Sequence, residues 1–384
     1  MIKNVFLKNL LIGSVFKGIS GVNQFIPKND QKILLYSDLG FRDNVKYLYD
    51  YLIQHNYNEK YQIICAVKGY QKFTGSAPKN VVFTRPFSGI FAYLRTTHVF
   101  YCFGKLPISA TRKQKVIQMW HGTSFKGFAQ NQTQTGANAN SFYTYVYASS
   151  PYFVPIVARK FNVDRNHVAI CGHPRTDVFY EPKANYALGD FKKILVWLPT
   201  FRQSKRLGQT DTKQDSILPF LADSELAHFN DYLQEKDVKV IVKLHPMQDV
   251  SEIDHAGWKN LVLMSNSEFE KSGMDLYRLL NLSDGLLTDY SSVFYDYLLL
   301  DKPIGFTESD VEEYEKKRGF AVDPDKFRPG QRIRQQADLR LFIENVITGN
   351  DAFKPDRKKI NLIANRNQNG TNSEQSLKLS DIHM

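Results

Sequence analysis

Short apolar runs alternate with segments of helical periodicity along most of this chain, and this alternation restricts the possible folds more than any other feature. The first half has predicted helices at 44–54 and 87–94 and predicted strands at 32–37, 61–67, 81–84, 98–102, 116–120, 143–148 and 167–171. The alternation then starts again, with predicted helices at 216–236, 274–280 and 293–300 and predicted strands at 193–198, 238–244, 261–264, a short run ending at 287, and 304–306. Such a pattern is typical of parallel, doubly wound sheets. The sequence therefore predicts an α/β protein with two Rossmann-like domains, at 30–180 and 190–350, around a central cleft.

The two ends of the chain differ in character from its centre. Residues 1–29 contain four lysines and no acid, and their apolar stretch between Lys8 and Lys17 is too short to span a bilayer. This segment is either a helix packed on the fold or a basic, hydrophobic segment that lies on an anionic membrane surface. Residues 354–384 are rich in Asn, Lys, Gln and Ser, a composition that predicts a disordered tail.

The 50 lysines and arginines outnumber the 39 aspartates and glutamates, which gives a formal net charge of +11. This balance favours anionic partners such as nucleotides, acidic polymers, nucleic acids or an anionic membrane. The cations stand singly after predicted strands rather than in a basic stripe with stacking aromatics, so we expect no nucleic-acid binding. Cys65, Cys102 and Cys171 lie in or beside apolar runs without metal-ligand spacing, which is typical of buried thiols in a reducing compartment.

Polar side chains follow one predicted strand of the first half, at the edge where parallel sheets bind ligands. His121 comes directly after this strand, and Gly122, Thr123 and Lys126 follow it. An imidazole in this position is suited to act as a base near neutral pH. The alternative is that His121 is an ordinary packed histidine.

A second strand end in the first half carries His173 and Arg175. A guanidinium there is suited to bind a phosphate group. The equally open alternative is a structural ion pair between Arg175 and Asp177.

The second half has cations and hydroxyls at its strand ends, namely Thr200, Arg202, Lys243 and His245. Arginine forks and lysine point charges are suited to hold a diphosphate. The chain then turns at Asp289 and opens a helix with Ser291 and Ser292. The free N–H groups and the dipole of such a helix start favour an anion, although a capped helix without a ligand would have the same sequence.

Five motifs occur together in this order: WHGTSFK, GHPRTD, PTFR, KLHP and TDYSSVFYDYLLLDKP. Their order and spacing resemble the CDP-glycerol glycerophosphotransferase family of teichoic-acid and capsule synthesis. The resemblance covers about residues 26–332, including IPKNDQKILLYSDLGFRDN and YEKKRGFAVDPDKFRPG. It implies a GT-B-like architecture with the active site between two Rossmann-like domains. It also implies transfer of glycerol phosphate from CDP-glycerol to a hydroxyl of a lipid-linked acceptor, with release of CMP.

The resemblance and the chemistry together assign roles to the candidate residues. We expect His121 to act as the general base. The residues expected to hold the donor diphosphate and stabilise the departing CMP are Arg202, Lys243, His245, Ser291 and Ser292. The remaining substrate contacts are expected from Gly122, Thr123, Lys126, His173, Arg175, Thr200 and Asp289. We expect no metal and no cofactor, because the single Asp-x-Asp motif, at 323–325, lies in a loop-like stretch.

Two other reactions stay open at this point. Relatives in the resembled family transfer ribitol phosphate from CDP-ribitol, and glycosyltransferases of the GT-B class use nucleotide sugars. The acceptor is expected to be a lipid-linked glycan or polyol-phosphate precursor of the bacterial cell wall or capsule. We therefore expect a peripheral enzyme at the cytoplasmic face of the plasma membrane.

Overall fold

The computed structural model describes residues 5–103, 106, 108–127, 142–199, 203–204, 209–210, 216–244, 255, 257–308 and 311–384. The helices are α1 Val5–Asn23, α2 Asp43–Gln54, α3 Tyr57–Lys60, α4 Pro86–Tyr93, α5 Val154–Phe161, α6 Leu226–Glu235, α7 Asn266–Lys271, α8 Leu276–Leu282, α9 Val293–Tyr297, α10 Val311–Arg318, α11 Pro324–Phe327, α12 Gln336–Thr348, α13 Lys354–Ala364 and α14 Asn372–Lys378. The strands are β1 Asn29–Ser37, β2 Gln62–Val67, β3 Val81–Thr84, β4 Thr96–Phe103, β5 Lys115–Gln118, β6 Tyr145–Ala148, β7 Val168–Ile170, β8 Lys193–Leu198, β9 Gln203–Ser204, β10 Gln209–Thr210, β11 Val238–Lys243, β12 Leu261–Met264, β13 Gly285–Thr288, β14 Ile304–Thr307 and β15 Gln331–Ile333.

The chain divides into two compact units that do not follow a simple N-terminal and C-terminal split. The first unit comprises Met1–Gly122, Thr133–Asp177 and Arg366–Met384. The second unit comprises Thr123–Gln132 and Val178–Asn365. The predicted boundaries placed residues 123–132 in the first domain, whereas they belong to the second unit. The C-terminal segment from Arg366, which was predicted as a separate tail, belongs to the first unit.

The first unit is built on one parallel sheet with the strand order β3–β2–β1–β4–β5–β6–β7. Its central strands are buried on both faces, as the continuous apolar run in β1 requires. Ile33 and Leu35 of β1 pack with Val45 and Leu48 of α2 in the hydrophobic core. The pairing of β1 with both β2 and β4 is parallel, which confirms the doubly wound arrangement that the sequence predicts.

The second unit repeats this plan with the strand order β12–β11–β8–β13–β14–β15. Every described pair in this sheet is parallel. Trp197 of β8 is fully buried in a core to which α6 and α12 contribute Phe229 and Phe342. The sequence analysis missed β15 and α12, and the helix predicted over 216–236 is wrong in its first part. There the chain makes turns in which Leu218 and Leu221 are buried, so a helix begins only at Leu226.

The expected N-terminal helical segment is confirmed as α1, and its C-terminal end is attached to the first unit. Asn23 is fully buried, and its amide donates hydrogen bonds of 2.9 Å to Ser109 O and to Gln114 Oε1. The Ser20 hydroxyl accepts a hydrogen bond of 2.9 Å from Ser109 N. Among the described residues, no helix combines the length and the apolar character needed to cross a membrane.

The prediction of a disordered tail at 354–384 is wrong. The segment forms α13 and α14, and Leu377 and Ile382 are each 1% exposed within the core of the first unit. The Asp177 carboxylate accepts hydrogen bonds of 2.9 and 2.7 Å from Asn372 N and Ser373 N, so it occupies the free N–H groups at the start of α14. The polar composition that suggested disorder instead supplies the groups that attach this helix.

Replacing Leu377 with alanine should lower the free energy of unfolding by about 2–5 kcal/mol, because it leaves a cavity in a packed core. Leu39→Ala is a matched control in the same unit, since Leu39 is 50% exposed and loses little on truncation. Urea unfolding of both variants measures the difference. Equal stabilities would show that the C-terminal segment contributes nothing to the first unit.

Candidate active site

In each unit the strand order reverses once, and ligands of doubly wound sheets bind outside the carboxyl ends of the strands at such a point. In the first unit the reversal lies between β1 and β4, whose carboxyl ends are Ser37 and Phe103. In the second unit it lies between β8 and β13, which end at Leu198 and Thr288. The candidate residues of the sequence analysis follow strands at these edges.

The turn that carries His121 has an unusual backbone. Trp120 has a left-handed φ of 58°, and Gly122 has a φ of 140° that side chains with a Cβ rarely adopt. A left-handed non-glycine residue costs about 1–2 kcal/mol, so surrounding contacts must hold it. Asn44 Nδ2 donates to Trp120 O at 2.8 Å, and Arg175 Nη1 donates to His121 O at 3.1 Å. Two buried side chains therefore fix the carbonyl groups on both sides of this turn.

Arg175 is held in turn by an ion pair with Asp43. Arg175 Nη1 lies 2.8 Å from Asp43 Oδ1, and the two side chains are only 5% and 17% exposed. Arg175 N also donates to Asn44 Oδ1 at 3.2 Å. The structural alternative for Arg175 is thus supported, but with Asp43 as its partner and not with Asp177, which caps α14. The sequence analysis did not single out Asp43 and Asn44, although both lie in the quoted stretch that resembles the family.

His173 is buried beneath this network. The ring is 3% exposed, and Asn44 Nδ2 lies 3.2 Å from its Nδ1. Because the amide nitrogen can only donate, Nδ1 accepts and the proton of the neutral ring is on Nε2. Burial, and then the charge of Arg175, lower the pKa of His173 to about 3. These contacts make His173 a neutral packing residue beneath the turn that carries His121.

His121 itself is exposed, and its ring contacts two aromatic neighbours. The ring stacks on Phe103 with a centroid distance of 5.3 Å and lies 3.9 Å from the Trp120 ring. Desolvation lowers the pKa of His121 to about 4; Asp43 raises it, and Arg175 and Lys160 lower it further. At neutral pH the imidazole is therefore uncharged and free to accept a proton.

Asp38 is a candidate that the sequence analysis did not single out. It follows β1 at the reversal point of the first sheet, and its Oδ1 is buried without a hydrogen-bond partner among the described residues. Burial raises the pKa of this carboxyl group, while its own backbone N–H and Lys68 lower it. A buried acceptor without a partner at this edge is available to a ligand hydroxyl. The signal in the sequence is an acid immediately after the first predicted strand.

In the second unit, residues 125–127 pair with 319–321 through two backbone hydrogen bonds of 2.8 and 2.9 Å and an antiparallel bridge at Lys126. Thr123 is 5% exposed, and the ammonium group of Lys126 lies 6.0 Å from the Tyr314 ring centroid. His121 and Gly122 thus belong to the first unit, whereas Thr123 and Lys126 belong to the second.

A buried ion cluster supports this segment. Arg328 and Glu308 form an ion pair in which both side chains are 1% exposed. Arg332 Nε lies 3.1 Å from Glu308 Oε1. The guanidinium of Arg328 lies 5.8–5.9 Å from the ring centroids of Phe125, Tyr290, Phe306 and Phe320. This cage fixes the position of Phe125 directly before Lys126.

The helix start predicted at Ser291 and Ser292 differs from expectation. Ser292 is the N-cap of α9, but it has helical dihedral angles and its side chain makes no capping hydrogen bond. The α-helical part is five residues long and ends in a 3₁₀ turn. Asp289, just before it, is 1% exposed. The Ser292 hydroxyl therefore makes no capping bond, contrary to the prediction, whereas the Ser291 hydroxyl accepts a long hydrogen bond of 3.5 Å from Val293 N, the first residue of the helix.

Among the other donor-site candidates, Lys243 lies at the end of β11. Its ammonium group donates to Asn266 Oδ1 at 3.2 Å and lies 5.4 Å from the Phe269 ring. Thr200, Arg202 and His245 lie outside the described residues.

The Asp-x-Asp motif caps a short helix. Asp323 accepts hydrogen bonds from Asp325 N and Lys326 N as the N-cap of α11. In the part of the chain that the structure describes, no three His, Cys, Asp or Glu side chains are grouped to hold a metal.

A sequence model of the family described as CDP-glycerol:poly(glycerophosphate) glycerophosphotransferase matches residues 19–379. The chain belongs to this family. The resemblance drawn from the motifs is thereby confirmed, and with it the assignment of the chain as a glycerophosphotransferase.

Curated relatives act in teichoic-acid synthesis. The chain is 29% identical to the teichoic acid ribitol-phosphate primase of Bacillus spizizenii, over 70% of each chain. It is 24% identical to the teichoic acid glycerol-phosphate transferase of Staphylococcus aureus, over 88% of this chain and 89% of the relative. It is 33% identical to the teichoic acid glycerol-phosphate primase of Bacillus subtilis, over 59% of each chain.

Solved structures confirm the expected GT-B-like α/β fold. The wall teichoic acid polymerase TagF matches with a TM-score of 0.72 and 20% identity, over 98% of this chain and 95% of the TagF chain. A UDP-N-acetylglucosamine 2-epimerase matches with a TM-score of 0.51 and 11% identity, over 91% and 95% of the two chains. At these identities the likeness describes the fold alone.

The lowered pKa of His121 predicts that its imidazole does not titrate between about pH 6 and 8. A ¹H–¹³C NMR titration of the histidine ring signals measures this, and the signal that is missing in His121→Gln identifies the residue. We expect a midpoint near 4, since desolvation and the nearby cations disfavour the charged form. A midpoint above 6 would contradict the electrostatic description of the site.

Proposed function

We propose that this glycerophosphotransferase transfers glycerol phosphate from CDP-glycerol to a hydroxyl of a lipid-linked teichoic-acid or capsule precursor. The single observation that carries the proposal is the His121 turn, in which a neutral imidazole is held at the ligand-binding edge by Asp43, Asn44 and Arg175. Family membership supplies the donor class. The names of the relatives, which include glycerol-phosphate and ribitol-phosphate enzymes, support the acceptor class.

The proposed reaction transfers a substituted phosphoryl group from the donor to the acceptor hydroxyl. The acceptor oxygen forms a bond to the β-phosphorus of the donor, while the bond from that phosphorus to the bridging oxygen breaks. The proton of the acceptor hydroxyl passes to the His121 imidazole, and CMP leaves with the electron pair of the broken bond. Catalysis of such a step rests on positioning and on charge stabilisation.

We assign the donor diphosphate to the second unit. Lys243 ends β11, and Ser291 and Ser292 follow β13, where the Ser292 hydroxyl makes no capping bond to α9. Arg202, His245 and Thr200 join this group on the strength of their motifs, with His245 stabilising the departing CMP. Asp289 orients a substrate hydroxyl.

The residues on the acceptor side divide into two kinds. Gly122, Thr123 and Lys126 are assigned to substrate contact, because they continue from His121 along the same segment. His173 and Arg175 are instead assigned to positioning, because both are buried and their described contacts hold the turn. This assignment replaces their expected role as substrate-binding groups.

The donor identity is tested by assaying CMP release with CDP-glycerol, CDP-ribitol and a nucleotide sugar, each with a membrane extract as the source of acceptor. We expect acceptor-dependent CMP release from CDP-glycerol. Faster release from CDP-ribitol would establish the ribitol alternative, which the 29% identity to a ribitol-phosphate primase supports. Release of a nucleoside diphosphate from the sugar donor alone would refute the proposal.

Replacing His121 with alanine should lower the transfer rate by roughly 10²–10⁴-fold, because it removes the group that accepts the proton. Donor affinity should stay nearly unchanged, since the diphosphate is assigned to other residues. Calorimetry with CDP-glycerol, a melting curve and the CMP assay separate the two effects. A stable variant with near wild-type turnover would exclude His121 as the base.

We also assign an anionic membrane surface as a partner of α1. Val15 and Val22 are each 58% exposed and Phe25 is 87% exposed, and the segment contains no acid before Asp30. Apolar side chains together with lysines are the combination that binds an anionic leaflet. This contact would keep the enzyme at the cytoplasmic face of the membrane, near its lipid-linked acceptor.

Replacing Val15 and Val22 with asparagine and Phe25 with serine should weaken co-sedimentation with anionic vesicles by about tenfold or more, because apolar area no longer enters the lipid. The fold should be unaffected, since all three side chains are exposed. Leu341→Asn with Leu362→Asn is a matched control, because these leucines are 55% and 74% exposed on α12 and α13. Unchanged sedimentation of the triple variant would remove α1 as the membrane contact.

A further inference from the structure

The first unit contains a basic cavity at the edge of its sheet opposite the candidate active site. The cavity has a volume of about 480 Å³ and is lined by the amino-terminal ends of β1 and β4, the start of β5 and the C-terminal segment. Thr97 lines it near the start of β4, and Phe103 ends the same strand beside His121. At about 3.3 Å per residue, the two sites are separated by roughly 20 Å.

The lining carries an excess of positive charge. Four cations line the cavity, namely Lys60, Arg112, Lys113 and Lys115, against two carboxylates, those of Asp30 and Asp381. Lys115 forms an ion pair of 3.1 Å with Asp381, and Lys60 donates to His383 O at 2.9 Å. Within the described chain, the side chains of Arg112 and Lys113 have no ion-pair or hydrogen-bond partner. Their charges are therefore available to a ligand.

The sequence around Arg112 and Lys113 contains no acid. Residues 60–163 contain 13 lysines and arginines and no aspartate or glutamate. The lining loop that carries Arg112 and Lys113 lies within this stretch. A surplus of cations without local counter-charges favours an anionic ligand.

The polar floor of the cavity is ordered. His98 is 4% exposed, and its Nδ1 lies 3.1 Å from Ser380 Oγ. Tyr61 OH donates to His383 O at 2.9 Å, which attaches the C-terminal segment to the floor. The loop at 109–114 is anchored as well, because Gln114 Nε2 donates to Tyr93 O at 2.8 Å. Arg112 and Lys113 therefore extend from a fixed loop beside a preformed cavity.

We propose that this cavity is a second anion site that binds the phosphate group of a phosphorylated polyol or of a lipid headgroup. The guanidinium of Arg112 supplies the forked donor that phosphate oxygens favour, and Lys113 supplies a point charge. The volume exceeds that of a phosphate ion alone and falls in the range of small-molecule sites. The site is distinct from the donor site and does not depend on the proposed reaction.

Pyridoxal 5′-phosphate is a suitable probe, because it carries both a phosphate group and an aldehyde that condenses with lysine amines. The full-length chain is treated with the probe, reduced with borohydride, digested and mapped by mass spectrometry. We expect Lys113 to be labelled in preference to Lys72 and Lys79, which are also exposed but do not line the cavity. Excess sn-glycerol 3-phosphate or phosphatidylglycerol vesicles should protect Lys113.

Arg112→Gln should lower the labelling of Lys113 about tenfold, because it removes one charge-assisted hydrogen bond to the probe. Arg165→Gln is the matched control, since Arg165 is exposed in the same unit, outside the cavity, and its loss changes the net charge equally. CMP release should be unchanged in Arg112→Gln, so the outcome here is independent of the proposed function.

Each outcome of the labelling experiment either supports the proposed anion site or excludes it. Protection by soluble sn-glycerol 3-phosphate supports it with a soluble phosphate ester as the ligand. Protection by phosphatidylglycerol vesicles alone, and not by phosphatidylcholine vesicles, supports it with a lipid phosphate as the ligand. Labelling of Lys72 and Lys79 equal to that of Lys113, an equal loss in Arg165→Gln, or no protection by either competitor would overturn it.

Discussion

The ion pair between Arg175 and Asp43 is the interaction on which the candidate active site depends. It neutralises a guanidinium that is almost completely buried, and it aims that guanidinium at the carbonyl group of His121. Removing one partner of such a pair leaves a buried charge without compensation, which typically costs about 3–5 kcal/mol. The pair also holds a turn whose left-handed Trp120 would otherwise relax. Stability and the orientation of His121, the proposed base, are therefore linked through the same contact.

The sequence predicted the strands far better than the connections between them. Strands such as β8 and β12 are continuous apolar runs, which are typical of parallel sheets, and their bounds were found to the residue. The first part of the helix predicted over 216–236 is wrong, because the apolar residues Leu218 and Leu221 are buried by turns and not by a helix. Hydrophobic periodicity indicates that a residue is buried, but it does not indicate which backbone conformation places that residue in the core.

The candidate site shows the same limit for long-range contacts. The motifs identified His121, His173 and Arg175 from their positions after strands, but not that Arg175 pairs with a residue 132 positions earlier in the chain. Composition likewise suggested disorder for the C-terminal segment, because asparagine and serine favour it when they are solvated. Here Asn372 and Ser373 are 1% exposed and their N–H groups are bonded to Asp177, which the local sequence does not reveal.

The low pKa of His121 sets a condition on how this residue can act. A base whose pKa is lowered by desolvation and by nearby cations is in its neutral form at pH 7, but it accepts a proton more weakly than an ordinary imidazole. Besides desolvation, the cations Arg175 and Lys160 lower its pKa, and the Asp43 carboxylate opposes them. A bound diphosphate adds negative charge, and negative charge near an imidazole favours its protonated form. If the proposed substrate brings its negative charge close to the ring, His121 becomes a stronger base when that substrate is bound.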